Sequence, residues 1–281
     1  MAGGGNDGFT PADGALVMLG AMKTGTVRLF QTMEHPCGYY AGRSARNLVI
    51  DPLDPGLPAV YQAALDWGFR RAGGHVYRPN CQNCRACVPC RIPVARFQPR
   101  RAQRRCLTRN GDLQINWRPA AADAEAMALY ERYLAWRHPG GGMDDPGPDE
   151  FERFLIAPWG STWFLELRLG EELIALAVTD VGSQGLSAVY TFFSPDHADR
   201  SPGVLCILQQ VERARMLGLR HLYLGYWLAG HEKMHYKSRF QPLEILHQGH
   251  WRDYRPDTDA TTAVVSANGG TDPVIAPAGL P

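Results

Sequence analysis

At 281 residues and 45% hydrophobic side chains, the chain can form one large domain or two modest ones around a sizeable core. It has no apolar run near the ~18 residues of a membrane-spanning helix. Asp7 and Asp13 precede its first basic residue, Lys23, which is the wrong charge order for a secretory signal. A cytoplasmic protein with no membrane partner is therefore expected. Its seven cysteines should stay reduced, so that clustered thiols point to metal or reactivity rather than disulfides. The net charge of +1 hides an uneven distribution, with eleven arginines and no acid between Trp67 and Gly111. That block fits a polyanionic partner; the plainer reading is a solvated face in a chain that uses arginine 26 times and lysine three.

Residues 1–23 are rich in glycine and alanine and are expected to be flexible. Strands are predicted at 26–31 and 47–50, then a helix from Pro58 to Trp67 that Gly68 ends. A strand at 75–77 leads into a cysteine-rich loop. Residues 100–110 follow a helical pattern, with Ala102, Cys106 and Leu107 inward, arginines outward and Gly111 as the C-cap. These elements make a first unit, 24–112. A second, 113–255, starts with helices at 121–136 and 149–156, separated by the break at 139–142. Strands at 162–169, 173–181 and 185–193 follow, then a helix at 203–217 and strands at 221–224, 243–246 and 250–254. The Pro, Gly, Thr and Ala content of 256–281 predicts a disordered tail. Three meandering strands, a helix and another strand follow the core order of GNAT-type acyltransferases. The fold class read from this order is α+β, with mixed sheets flanked by helices.

The densest local signal is Cys81, Cys84, Cys87 and Cys90, each two residues from the next. Four thiols so spaced suit a structural Zn²⁺ or an iron–sulfur cluster, or are loop and core cysteines without metal. His231-Glu232-Lys233-Met234-His235 satisfies the H-E-x-x-H string, but Gly230 before it and Pro242 after leave only about two turns of helix, and the pattern is read as coincidence. The same stretch holds two of the three lysines, Lys233 and Lys237, flanked by Tyr226, Trp227, Tyr236 and Phe240. In an arginine-rich chain this suggests that compact ammonium groups are wanted there. No phosphate-binding loop, dinucleotide fingerprint or G-x-S-x-G elbow is present. An acyltransferase of this kind must receive its acyl group already activated.

Three blocks can now be read together. The first runs from His35-Pro36-Cys37-Gly38-Tyr39 through Ala45-Arg46 to Asp51-Pro52. The second joins Gly68-Phe69-Arg70-Arg71, Tyr77-Arg78-Pro79 and Cys84-Arg85-Ala86-Cys87 to Arg91-Ile92-Pro93-Val94. The third links Tyr190-Thr191-Phe192-Phe193 to Gly225-Tyr226-Trp227, Lys233-Met234-His235-Tyr236-Lys237 and Phe240-Gln241-Pro242-Leu243-Glu244. In these blocks the chain resembles the bacterial aspartate/glutamate leucyltransferases, a branch of the aminoacyl-tRNA–protein transferases that also includes the eukaryotic arginyltransferases. The resemblance implies two GNAT-like lobes and transfer of leucine from leucyl-tRNA to proteins that begin with Asp or Glu, marking them for degradation. Arginyl transfer by the same mechanism and an acetyl-CoA-dependent acetyltransferase are the alternatives. The chain departs from the family pattern at Ser194, Pro202 and His231, and Cys90 is an added thiol. Cys37 is the alternate metal ligand, although Tyr40 stands where the eukaryotic branch has its paired cysteine.

An aminoacyl ester is already a high-energy donor, and an α-amine with a pKa near ~8 is partly neutral in the cell, so positioning carries most of the work and no cofactor is needed. Arg43 or Arg46, with Lys237 as the other candidate, is expected to hold the acidic side chain of the acceptor. Arg100, Arg101, Arg104 and Arg105 are expected to meet tRNA phosphates. Tyr190, Lys233 and Tyr236 are nominated for the proton and the tRNA 3′ end, and Trp227 with Phe193 for an apolar leucine pocket.

Overall fold

The computed structural model describes residues 27–137 and 148–259. The predicted flexible start and most of the predicted disordered tail lie outside these residues. The tail's first residues do not fit that expectation: 256–259 are helical, and Asp259 accepts from the Arg252 guanidinium at 2.6 and 2.9 Å.

Chain order begins with β1 (Leu29–Gln31), β2 (His35–Pro36), β3 (Ser44–Ala45), β4 (Asn47–Ile50) and α1 (Leu57–Asp66). Next come β5 (Arg70–Ala72), β6 (His75–Pro79), β7 (Val88–Pro93), α2 (Arg101–Arg109) and β8 (Gln114–Pro119). The remainder is α3 (Ala124–Arg137), α4 (Pro148–Leu155), β9 (Thr162–Leu169), β10 (Glu172–Val181), β11 (Gly185–Phe193), α5 (Pro202–Met216), β12 (His221–Trp227), β13 (Glu244–His247) and β14 (His250–Asp253). A small antiparallel sheet runs β1-β4-β6-β5, β2 pairs with β3, and a large sheet runs β14-β13-β7-β12-β11-β10-β9-β8. The fold is mixed α and β.

The large sheet has helices on both faces, and β10 records this in its sequence. Leu176 and Val178 pack with α3 and α4, while Ala175 and Ala177 pack toward α5 and α2. A strand covered on both faces reads as a continuous apolar run, which is what Leu173 to Val178 is. Under the small sheet, α1 packs Val60, Ala64 and Leu65 against Ile50 and Val76.

The sheets do not divide the chain at residue 112. β7 leaves the first half and enters the large sheet between β12 and β13, antiparallel to both. Its sequence conceals it. Pro89 and Pro93 cannot donate to a ladder, and they sit opposite Tyr226 and His221 near the two ends of the pairing.

Candidate active site

β11 and β12 run parallel but pair only at Gly185–His221, Leu186–Leu222 and Ser187–Tyr223. Beyond those positions the strands part, and the small sheet closes on the opening. β5 approaches β11, and Arg70 on β5 reaches Gly225 on β12. The Tyr226 hydroxyl shares its proton between the carbonyls of Gly68 and Tyr77, both at 3.1 Å, tying β12 to the small sheet. Residues 235–239 form a single 3₁₀ turn that brings Tyr236 and Lys237 to the same region.

Strand alternation sends the two neighbouring arginines of β5 to opposite sides. Arg71 is fully buried. Its Nε and Nη2 donate to the Asp180 carboxylate at 2.6 and 2.9 Å, and it also bonds the carbonyls of Gly73 and Leu155 at 2.9 Å. Asp180 further accepts from the Tyr61 and Thr162 hydroxyls, each at 2.8 Å. Arg70 faces the other way. Its guanidinium carbon lies 6.0 Å from the Tyr77 ring centre and 5.7 Å from that of Tyr226.

The eleven arginines of the basic block now sort by partner. Arg71, Arg91 and Arg96 pair with carboxylates. Arg78, Arg85, Arg104 and Arg109 donate to backbone carbonyls. Arg100, Arg101 and Arg105 are exposed on α2 with Arg104, and the inward face of that helix buries Gln103 and Cys106. Arg100, Arg101 and Arg104 line an open concavity of about 570 Å³ with Gln98, Pro99, Gln241 and Pro242. Arg70 belongs to none of these groups. Half-buried, it has aromatic faces around it and no carboxylate or carbonyl acceptor among the described residues.

Lys237 is only 5% exposed. Its Nζ donates to the Tyr226 carbonyl at 2.6 Å and approaches Met234 Sδ at 3.4 Å. Burial holds its ammonium down to about 8; Cys90 acts against that shift, and the Arg70 cation adds to it. Tyr236 is 37% exposed at its surface end, and burial of the rest, then Cys90 and Tyr133, push its hydroxyl up to about 12. Tyr190 stands on β11 with Tyr130, Tyr133 and Phe154 around its ring at 5.5–6.4 Å, and burial raises its hydroxyl well above the ordinary range. Tyr133 is the neighbour that Tyr190 and Tyr236 share. Lys233 is exposed, and its backbone N–H donates to His231 Nδ1 at 3.2 Å.

Four further residues named from the sequence have partners of their own. Trp227 is 0% exposed and packs in the core 4.9 Å from Tyr254. Phe193 instead packs with Tyr133 and Trp136. Arg46 is occupied by Glu34 at 3.0 Å, and Arg43 lies over the Tyr40 ring at 4.7 Å.

The comparisons with known proteins agree with one another. Residues 35–105 match the N-terminal model of the arginine-tRNA–protein transferases, and residues 125–247 match the C-terminal model. The aspartate/glutamate leucyltransferase of Stenotrophomonas maltophilia (strain K279a) is 57% identical over 83% of this chain and 95% of its own length. The chain belongs to the aspartate/glutamate leucyltransferase family. The Xylella fastidiosa (strain 9a5c) member is 51% identical over 81% of this chain and 92% of its own. Among solved structures, L-PGS from Bacillus licheniformis overlaps 75% of this chain and 70% of its own at a TM-score of 0.41 and 10% identity, too loosely to inform the site.

The cysteines of this aminoacyltransferase do not gather into a ligand set. Cys90 is 1% exposed on β7 within the core, where it faces Ile245 across the ladder. Burial, then Cys84, Cys81 and Cys37, push the Cys87 thiol up to about 12, and burial raises Cys90 to about 11. Among the described residues no three Cys, His, Asp or Glu side chains are arranged to hold a metal ion. The four-thiol centre expected at Cys81, Cys84, Cys87 and Cys90 does not fit this arrangement, and no step of the chemistry is derived through it. The H-E-x-x-H residues form turns, not an α-helix. His231 Nε2 donates to the Tyr39 carbonyl at 3.2 Å while its Nδ1 accepts from Lys233, and His235 Nδ1 accepts from Gly230 N–H at 3.2 Å.

Among the described residues no helix is long and apolar enough to cross a membrane. Arg70 is the site residue that sequence reasoning did not single out. The signal for it was the lack of any acid between Trp67 and Gly111, combined with a two-residue strand period that gives Arg70 and Arg71 different surroundings.

Proposed function

We propose that this transferase moves leucine from leucyl-tRNA to the α-amine of an N-terminal Asp or Glu, marking the acceptor for N-degron proteolysis. The leucyltransferase names of relatives at 50–57% identity support the donor and the acceptor class. The observation that carries the reading is the parted edge of β11 and β12, where Arg70 and Lys237 make a cationic centre among tyrosines with no paired carboxylate among the described residues. The meander β9-β10-β11, the helix α5 and the parallel strand β12 support a GNAT-like C-terminal lobe.

The chemistry asks for little beyond positioning. The neutral α-amine attacks the ester carbonyl of the donor; the C–N bond forms, the C–O bond to the ribose breaks, and one proton leaves the amine as the tRNA hydroxyl takes one up. Holding donor and acceptor in this geometry supplies the larger part of the acceleration. Tyrosine hydroxyls held in their neutral form, Tyr236 among them, are suited to donate hydrogen bonds to the ester oxygens.

The exposed arginines of α2 support an electrostatic landing face for tRNA. Replacing Arg100, Arg101, Arg104 and Arg105 by Gln should weaken tRNA binding and make the log–log salt dependence shallower by about 3 units, since each phosphate neutralised contributes ~0.7–0.9. A binding titration at several salt concentrations measures this, and an unchanged slope removes α2 from the interface. The function itself is tested by mass spectrometry of an Asp-starting peptide after incubation with leucyl-tRNA, arginyl-tRNA or acetyl-CoA. A gain of one leucine residue is expected. A gain of arginine or acetyl, or no gain, would replace the reading.

A further inference from the structure

We infer that Arg70 is the seat of the acceptor's acidic side chain: its guanidinium, with Lys237 as the second cation, receives the carboxylate of the N-terminal Asp or Glu. This rests on the transferase reading above and names the residue that would set its acceptor specificity.

The argument begins with unmet charge. Arg70 makes no ion pair among the described residues, whereas Arg71 beside it is saturated by Asp180 and two carbonyls. Lys237, buried nearby, has only a carbonyl and a thioether as partners among the described residues. Two neighbouring cations removed from water without an anion are unfavourable, and an entering carboxylate relieves both. The faces of Tyr77 and Tyr226 partly compensate Arg70 through cation–π attraction.

The surroundings also fix the shape of the ligand. Gly225 has a φ of +74°, and a Cβ placed there would lie 3.3 Å from Arg70 Nη1. Glycine therefore lets the guanidinium lie close against the backbone of β12. The Arg71–Asp180 clamp holds β5 from behind, so the fork of Arg70 is presented by an immobilised three-residue strand. A planar fork matches the two oxygens of a carboxylate. Phosphates of the tRNA have a separate and better-suited surface in the exposed arginines of α2.

The test uses the full chain, leucyl-tRNA, and peptides identical except for an N-terminal Asp or Asn. Equilibrium binding of each peptide is measured first, then leucine transfer. The native protein should bind and use the Asp peptide at least ~100-fold better than the Asn peptide, the scale of a buried charge pair that loses one partner. Arg70→Met should reduce that preference below ~10-fold while the Kd for leucyl-tRNA stays unchanged, a pattern that a general loss of structure would not produce. If Arg70→Met does not fold, Arg70→Lys is read instead, with the KM for the Asp peptide expected to rise at least ~10-fold and kcat to move less. The inference is overturned if the native protein has no preference for Asp, if Arg70→Met retains it, if Arg70→Met loses tRNA binding in its place, or if Arg70→Lys leaves KM unmoved. A native protein that prefers the Asp peptide but transfers no leucine to it would instead sink the proposed function and leave the carboxylate seat standing.

Discussion

Arg71→Ala is expected to cost about 3–5 kcal/mol of stability, a large share of the ~5–15 kcal/mol that holds a typical domain folded. The magnitude follows from what is left behind. Removing Arg71 leaves Asp180, 2% exposed, with the hydroxyls of Tyr61 and Thr162 but without its cation. It also strips donors from the carbonyls of Gly73 and Leu155. Because this pair joins β5 of the small sheet to β10 of the large one, the loss should extend to function: once β5 is loosened, Arg70 is no longer held against Gly225, and transfer should fall with stability. Arg71→Lys keeps the charge but not the fork, and should lie between the two. Arg46→Ala is the control, since its pair with Glu34 is exposed on both sides and should be worth less than ~1 kcal/mol. Urea denaturation of the three variants measures the series. A cost for Arg71→Ala near that of Arg46→Ala would show that the junction of the two sheets is held by apolar packing instead.

This clamp also shows where the amino-acid sequence is legible and where it is not. The meander of β9, β10 and β11, the helix α5 and the helix α1 can be read from periodicity, because each is long, apolar on the expected face and bounded by glycine or proline. β5, β7 and β8 cannot. β5 is three residues, two of them arginine; β7 carries two prolines; β8 is largely exposed and ends in Pro119. Their strand character comes from the partners that recruit them, which local propensity does not encode. The site is divided in the same way. The outward arginines of α2 are visible in a helical pattern, and the scarcity of lysine drew attention to Lys237, which proves buried, and to Lys233, which is exposed. Trp227, an aromatic beside lysines, reads from the sequence as a pocket wall, and as the last residue of β12 it packs in the core. Nothing in an Arg-Arg pair tells which side chain meets an aspartate 109 residues away and which faces tyrosines. That distinction is made by the tertiary fold alone.

Lys237→Met should make the protein more stable and less active, and the stability gain should depend on pH. The folded state lowers this amine from its ordinary 10.5 to about 8, chiefly by burial. Below pH 8 the lysine is charged in both the folded and unfolded states, so the folded state carries the whole penalty of a buried ammonium, ~3 kcal/mol for a displacement of this size. Between about 8 and 10.5 the folded state gives up its proton while the unfolded chain keeps it, and the native protein gains stability as pH rises. Above 10.5 the penalty is gone. Methionine carries no such charge, but it gives up the hydrogen bond to the Tyr226 carbonyl, worth ~1 kcal/mol, so the variant should be about 2 kcal/mol more stable at pH 7. That advantage should fall to nothing near pH ~10 and reverse to about 1 kcal/mol in favour of the native protein above 10.5. Leucine transfer to an Asp-starting peptide should move the opposite way, falling about 100-fold, the scale of a buried charge pair that loses one partner. Denaturant titrations at pH 7 and pH 10 measure the first effect, and initial rates of peptide modification the second. A variant that is destabilised at both pH values would mean that the amine is held for structure. One that is stabilised at pH 7 and still fully active would mean that burial of the charge does not serve acceptor binding.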